Sequence, residues 1–170
     1  MCIICDKRLQ IDEHLICTGC LTKLPYTCYR GQAENGAVRL FYGEVEIERG
    51  NAYLYYFTGA DSRKILFALK YHKQPQIGLI FGRMMAQDLF STNFFNGIDA
   101  LVPVPLAPRR QRQRGYNQSE WLAKGISQTT GLPVWTDVVE RIVENPTQTH
   151  LNHAQRRRNV EGIFLCVNPE

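Results

Sequence analysis

Residues 98–105, IDALVPVP, form a short, dense apolar run closed by two prolines, and residues 106–118, LAPRRQRQRGYNQ, follow with four arginines in six positions. An apolar run of this length, ending in prolines, suits a parallel strand that reaches the carboxyl edge of a sheet. Ligands of open α/β sheets collect outside such strand ends. The reading therefore predicts an arginine-rich loop, carrying Arg109, Arg110, Arg112 and Arg114, at a binding edge.

Patterns on either side of this run agree with α/β architecture. Upstream, RKILFALKYH (63–72) places Ile65, Leu66 and Leu69 at helical spacing, and Pro75 limits that helix. IGLIFGRMMAQDLF (77–90) reads as a second helix, with Leu79, Ile80, Met84 and Leu89 on its buried side and a weakening glycine at 82. VRLFYGE (38–44) and NAYLYYF (51–57), rich in aromatic and β-branched residues, read as two strands joined by a charged turn. Downstream, SEWLAKGISQTTG (119–131) reads as a helix capped by Asn117 or Ser119, with Trp121, Leu122 and Ile126 covering the sheet. VWTDVVERIV (134–143) is expected to be extended, residues 145–153 a polar loop, AQRRRNV (154–160) the start of a basic helix, and GIFLCV (162–167) a final buried strand.

Length and composition set the outer bounds. The chain has 170 residues, 44% of them hydrophobic, enough for one domain with a real core and a small appendage. Its 20 Lys and Arg against 16 Asp and Glu give a formal charge of +4, a mild excess that matters through its distribution. No apolar run approaches the roughly 18 residues that span a bilayer, so membrane insertion is not expected. The N-terminus, MCIICDKRLQ, shows no basic region followed by a long apolar one, and a secretory signal is not expected either.

Four of the six cysteines, Cys2, Cys5, Cys17 and Cys20, form C-x2-C-x11-C-x2-C. Without an export signal, thiols so arranged read as metal ligands sooner than as disulfides. A structural zinc ion suits them, because four thiolates complete a tetrahedral shell and leave no position for substrate water. A redox pair or an iron–sulfur centre are the alternatives, but a thioredoxin-like pair would open a helix after a strand. Leu9, Ile11, Leu15 and Ile16 are too few for an independent core, so metal binding would supply much of the local folding energy. His14 reads as an exposed loop residue, Cys28 as a small packed apolar group, and Cys166 as a buried strand thiol.

Arginine's planar fork of donors suits phosphate oxygens. Four arginines on one short loop repel each other too strongly to share one small ligand, so an extended polyanion or solvent must take some of them. Tyr116 either packs in the core or stacks on a base. Asn117 either caps the next helix or, with Gln118, orients a sugar hydroxyl. A second cluster, TQTHLNHAQRRRNVEG (147–162), adds Gln148, Arg156, Arg157, Arg158 and Asn159. The two clusters would define a cationic cleft if they met at one sheet edge.

The pairs MCIICDK (1–7) and ICTGC (16–20), ALKY (68–71), VPVPLAPRRQRQRGYNQSEWLA (102–123) and TQTHLNHAQRRRNVEGIF (147–164) together resemble the ComF family of competence proteins, also called GntX-like. The resemblance implies a zinc knuckle over residues 1–30 and a type I phosphoribosyltransferase-like parallel-sheet domain over residues 31–170. That domain is expected to be incomplete at its C-terminus, since LCVNPE (165–170) is not followed by the family's Asp-Asp phosphoribosyl-pyrophosphate motif or its Thr-Thr-Gly. Tyr116 stands where the family has Phe, Asn145 where it often has Thr, and Gln155 where it has an acidic residue. The implied role is cytoplasmic handling of incoming single-stranded DNA in natural transformation, beside a helicase-like partner. The alternative is phosphoribosyl transfer with Mg²⁺ and phosphoribosyl pyrophosphate, open only to a completed site; no catalytic residue or oligomeric state is implied.

Overall fold

The computed structural model describes residues 1–57, 59–144 and 160–167. In chain order these form α1 (Thr18–Leu21), α2 (Gly36–Arg39), α3 (Asp61–Tyr71), α4 (Gln76–Phe90), a 3-10 turn (Asn93–Phe95), α5 (Pro108–Arg114), α6 (Gln118–Thr130), β1 (Val139–Arg141) and β2 (Phe164–Cys166). The three long helices stand where helical spacing put them. Ser62, Ile65, Ala68 and Leu69 make the buried face of α3.

The packing of α4 corrects the expected face. Ile77, Gly78, Phe81, Gly82, Ala86 and Leu89 are buried, whereas Leu79, Ile80 and Met84 are half-buried. The glycines are the reason. A Cβ on Gly82 would lie 2.1 Å from the Leu122 carbonyl oxygen and 2.9 Å from the Gly125 Cα. A Cβ on Gly125 would lie 2.2 Å from the Leu79 carbonyl oxygen. The backbones of α4 and α6 therefore touch, and α6 packs on a helix where its apolar residues were expected to cover a sheet.

The parallel sheet expected of a phosphoribosyltransferase-like fold is not formed among the described residues. Leu101 and Val134 make a single parallel bridge, in which the Leu101 N–H donates to Pro133 O at 2.9 Å and the Trp135 N–H donates to Leu101 O at 3.0 Å. The next donor on that side would be residue 103, and a proline has none to give. The sheet that does form has two antiparallel strands, with Val139 opposite Cys166, Glu140 opposite Leu165 and Arg141 opposite Phe164. The strand expected at 162–167 is thus present but not buried, because β2 is exposed along its length. Cys166 is exposed with it, and so is Cys28, whose φ of 56° lies in the left-handed region.

Residues 38–44 and 51–57 form no hairpin. The Asn35 side chain accepts from the N–H groups of Ala37 and Val38 at 2.8 and 3.2 Å, which starts α2 where a strand was expected. Leu54 makes one antiparallel bridge with Tyr26. Residues 109–114 are not a loop either. Pro108 occupies the first turn, where no N–H is needed, and Arg and Gln are good helix formers. Gly115, at φ 84°, ends the helix as only a residue without Cβ does cheaply, its N–H donating to Gln111 O at 2.7 Å.

One apolar cluster runs from the N-terminal cysteines into the helices. Cys2, Ile4, Ile16, Cys20 and Leu24 pack with Ile65, Ala68, Leu69, Ile77 and Phe81. The Lys64 ammonium adds a polar tie, donating to the Ile4 carbonyl at 2.5 Å.

Candidate metal centre and nucleic-acid interface

The two cysteine pairs are brought together by backbone hydrogen bonds. Ile3 N–H donates to Leu15 O at 2.9 Å, which lays the first pair against the second. Asp6, at φ 58°, turns the chain so that its N–H reaches Cys2 O at 2.9 Å. Cys17 caps α1, and Cys20 N–H donates to Cys17 O at 2.9 Å. The Glu13 carboxylate holds the intervening loop, accepting from Gln10 and Thr18 N–H at 2.9 and 2.7 Å, and these donors lower its pKa.

All four sulfurs lie within 4.8 Å of one another, with Cys5 and Cys17 at 3.7 Å. Zn–S bonds near 2.3 Å in a tetrahedron need S···S separations of about 3.8 Å, so the thiols could hold a metal ion after small adjustments. Burial opposes ionisation of Cys2, but N–H groups of Cys17, Cys5 and Ile4 outweigh it and bring the thiol down to about 6. Burial and the neighbouring thiols push Cys20 up. A bound cation would favour the thiolate form of all four cysteines. His14 is exposed and stands outside the cluster.

The second site is built on α5. Arg109 and Arg112 are exposed, Arg110 and Arg114 half-buried. Arg109 N–H donates to Glu144 Oε1 at 3.0 Å. Burial, and then the charge of Arg110, lowers the pKa of Arg141 on β1, with Glu144 opposing. At the other end the Arg114 guanidinium donates to Gln118 Oε1 and lies 5.8 Å from the centre of the Tyr71 ring. Burial, then the same Arg114 charge, lowers the pKa of Lys70. The helix is therefore a cationic bar with a further basic residue of another element at each end. Like charges crowded this way attract an anion strongly.

The residues after the bar serve as its mount. The Tyr116 hydroxyl donates to the Leu69 carbonyl, and its half-buried ring packs against the core. Asn117 is buried; its oxygen accepts from Ser119 N–H at 3.0 Å while its amide donates to Val104 O at 3.0 Å. Of the open choices, core packing for Tyr116 and capping for Asn117 are the arrangements present. Gln148, Arg156, Arg157, Arg158 and Asn159 lie outside the described residues. Sequence reasoning missed Lys70, Tyr71 and Arg141 as neighbours of the bar. ALKY carried a signal for two of them, since Lys70 and Tyr71 follow the buried Leu69 on the polar side of an amphipathic helix.

The chain aligns with competence protein F of Haemophilus influenzae at 27% identity over 177 residues, covering 96% of this chain and 75% of that relative. The chain is similar to competence protein F over nearly its whole length. DNA utilization protein YhgH of Salmonella typhi is 28% identical over 108 residues, and that of Escherichia coli K12 27% over the same length. These alignments cover 62% of the chain but only 48% of each relative, so the chain spans about half the length of those proteins. No family model and no solved structure matches. These relatives are named for competence and for DNA utilization. No helix among the described residues is long and apolar enough to cross a membrane.

Proposed function

We propose that this chain handles single-stranded DNA during uptake, binding the phosphates through Arg109, Arg110, Arg112 and Arg114 and drawing on Arg156, Arg157 and Arg158. The observation that carries this reading is the crowding of like charges along α5, with Arg141 near one end and Lys70 near the other. A protein confines cations in this way at a cost that a polyanion offsets. The names of the relatives, competence and DNA utilization, supply the nature of the polyanion.

Cys2, Cys5, Cys17 and Cys20 would hold a zinc ion. Bound there, zinc would cross-link the two pairs and neutralise their thiolate charge, with every coordination position filled by protein. On this reading residues 1–30 are a zinc knuckle and residues 31–170 a phosphoribosyltransferase-like domain, to which the Leu101–Val134 bridge contributes the start of a parallel sheet. Cytoplasmic action beside a helicase-like partner belongs to the same proposal.

The test is a salt titration. Binding of an unstructured oligonucleotide should weaken linearly on a log–log plot, and each arginine that contacts a phosphate should contribute about 0.7 to the slope. Arg109→Gln, Arg110→Gln and Arg112→Gln together should lower that slope by about 2. Binding that ignores salt, or is absent, overturns the proposal.

A further inference from the structure

On the face of α3 opposite its buried residues, Arg63, Phe67 and Tyr71 follow one another at four-residue spacing, and Arg114 of α5 closes the row. Phe67 is 43% exposed and Tyr71 64%. Their ring centroids are 5.1 Å apart. The Arg63 guanidinium lies 5.2 Å from the Phe67 centroid, and that of Arg114 lies 5.8 Å from Tyr71. The order is cation, ring, ring, cation, the first three over about 12 Å of α3 and the last from α5.

Two large rings on the solvent side of a helix do nothing for the core, which Ile65, Ala68 and Leu69 build on the other side. Beside them opens a groove of about 620 Å³ lined by Ile3, Asp6, Arg63, Lys64, Phe67 and His72. Of the acidic groups here, Asp61 faces Lys64 at 3.6 Å and Asp6 lines the groove. Lys70 adds a further cation beside Arg114.

We propose that Arg63, Phe67, Tyr71 and Arg114 form a stacking platform for the unpaired bases of a DNA strand. Phe67 and Tyr71 each take a base face, while the two guanidinium groups, already held over aromatic faces, turn toward the flanking phosphates. Unpaired bases are required because a duplex keeps its base faces covered. A protein partner fits less well, since the rings are bracketed by charge and form no broad apolar patch. The platform rests on the proposed DNA-handling role and adds to it the contact with bases that α5 alone does not provide.

The experiment compares oligothymidylate with an abasic strand of the same length and charge, using the full-length, metal-loaded chain and fluorescence anisotropy. The wild type should bind the thymidylate strand roughly tenfold or more tightly than the abasic one. Phe67→Ala combined with Tyr71→Ala should abolish that preference and leave the salt slope unchanged. Tyr71→Trp should keep the affinity, its emission quenched when bases are present and not when they are absent. Equal binding of both strands by the wild type, or unchanged thymidylate affinity in the double variant, overturns the platform and leaves phosphate binding by α5 standing. Failure to bind either strand at any salt overturns both.

Discussion

Lys70 shows in one side chain how like charge is crowded beside the last arginine of α5. It is half-buried at the end of α3, and burial together with the Arg114 guanidinium holds its pKa below the ordinary 10.5. A lysine whose folded pKa is lowered binds fewer protons than its unfolded counterpart between the two values. The resulting cost to stability is present in full below the folded pKa and disappears as pH rises through 10.5. Lys70→Met keeps the length of the side chain and removes the charge, so its thermal midpoint at neutral pH should equal or exceed that of the wild type. The same variant should bind single-stranded DNA more weakly, with the wild-type advantage fading in alkali. Melting curves and anisotropy at neutral and alkaline pH check both signs; a variant less stable than the wild type at neutral pH contradicts the crowding. Neither the spacing of ALKY nor its composition shows this cost, because it comes from burial in the folded chain and from a guanidinium more than forty residues away in the sequence.

Among the elements, the crossing of α4 and α6 has the tightest geometry. Gly82 is legible in the sequence only as a defect in a helix, since glycine costs about 1 kcal/mol there relative to alanine. In the structure it is the point at which two backbones meet, together with Gly125. Gly82→Ala should therefore destabilise by about 2 kcal/mol or more despite its better helix propensity, because the atoms in the way are backbone and cannot rotate aside. A denaturant titration reads the change, and a neutral or stabilised variant would mean that the helices separate at little cost. The arginine segment carries a parallel lesson. The strand expected to end at residue 105 argued for a loop, yet Pro108 at the start and Gly115 at the end give the backbone a complete helix signal, and the signal prevails.

At the scale of the whole molecule, the cysteine cluster and the cationic face share one core. Cys2, Ile4 and Cys20 pack with Ile65, Ala68 and Leu69, whose helix carries Lys70 and Tyr71 on its other side. Metal held by the four cysteines should thus steady α3 from behind. Chelation should release about one zinc per chain, lower the thermal midpoint and weaken DNA binding in the same preparation, with all three restored by added zinc. Metal analysis, circular dichroism and anisotropy on one sample check this. Loss of metal with stability and binding intact would separate the two sites.

The two cysteine pairs and the three long helices were determined by the sequence alone, because spacing and backbone preference act within a few residues. So was the crowd of arginines behind residue 108. The tertiary structure alone decided that the helix carrying the crowd is mounted by Tyr116 and Asn117, and that its last arginine meets Lys70 and Tyr71. It also decided that, among the described residues, the expected parallel sheet is one bridge at Leu101, beside a separate antiparallel pair. Those outcomes depend on segments distant in the chain packing against one another, so no local pattern could state them.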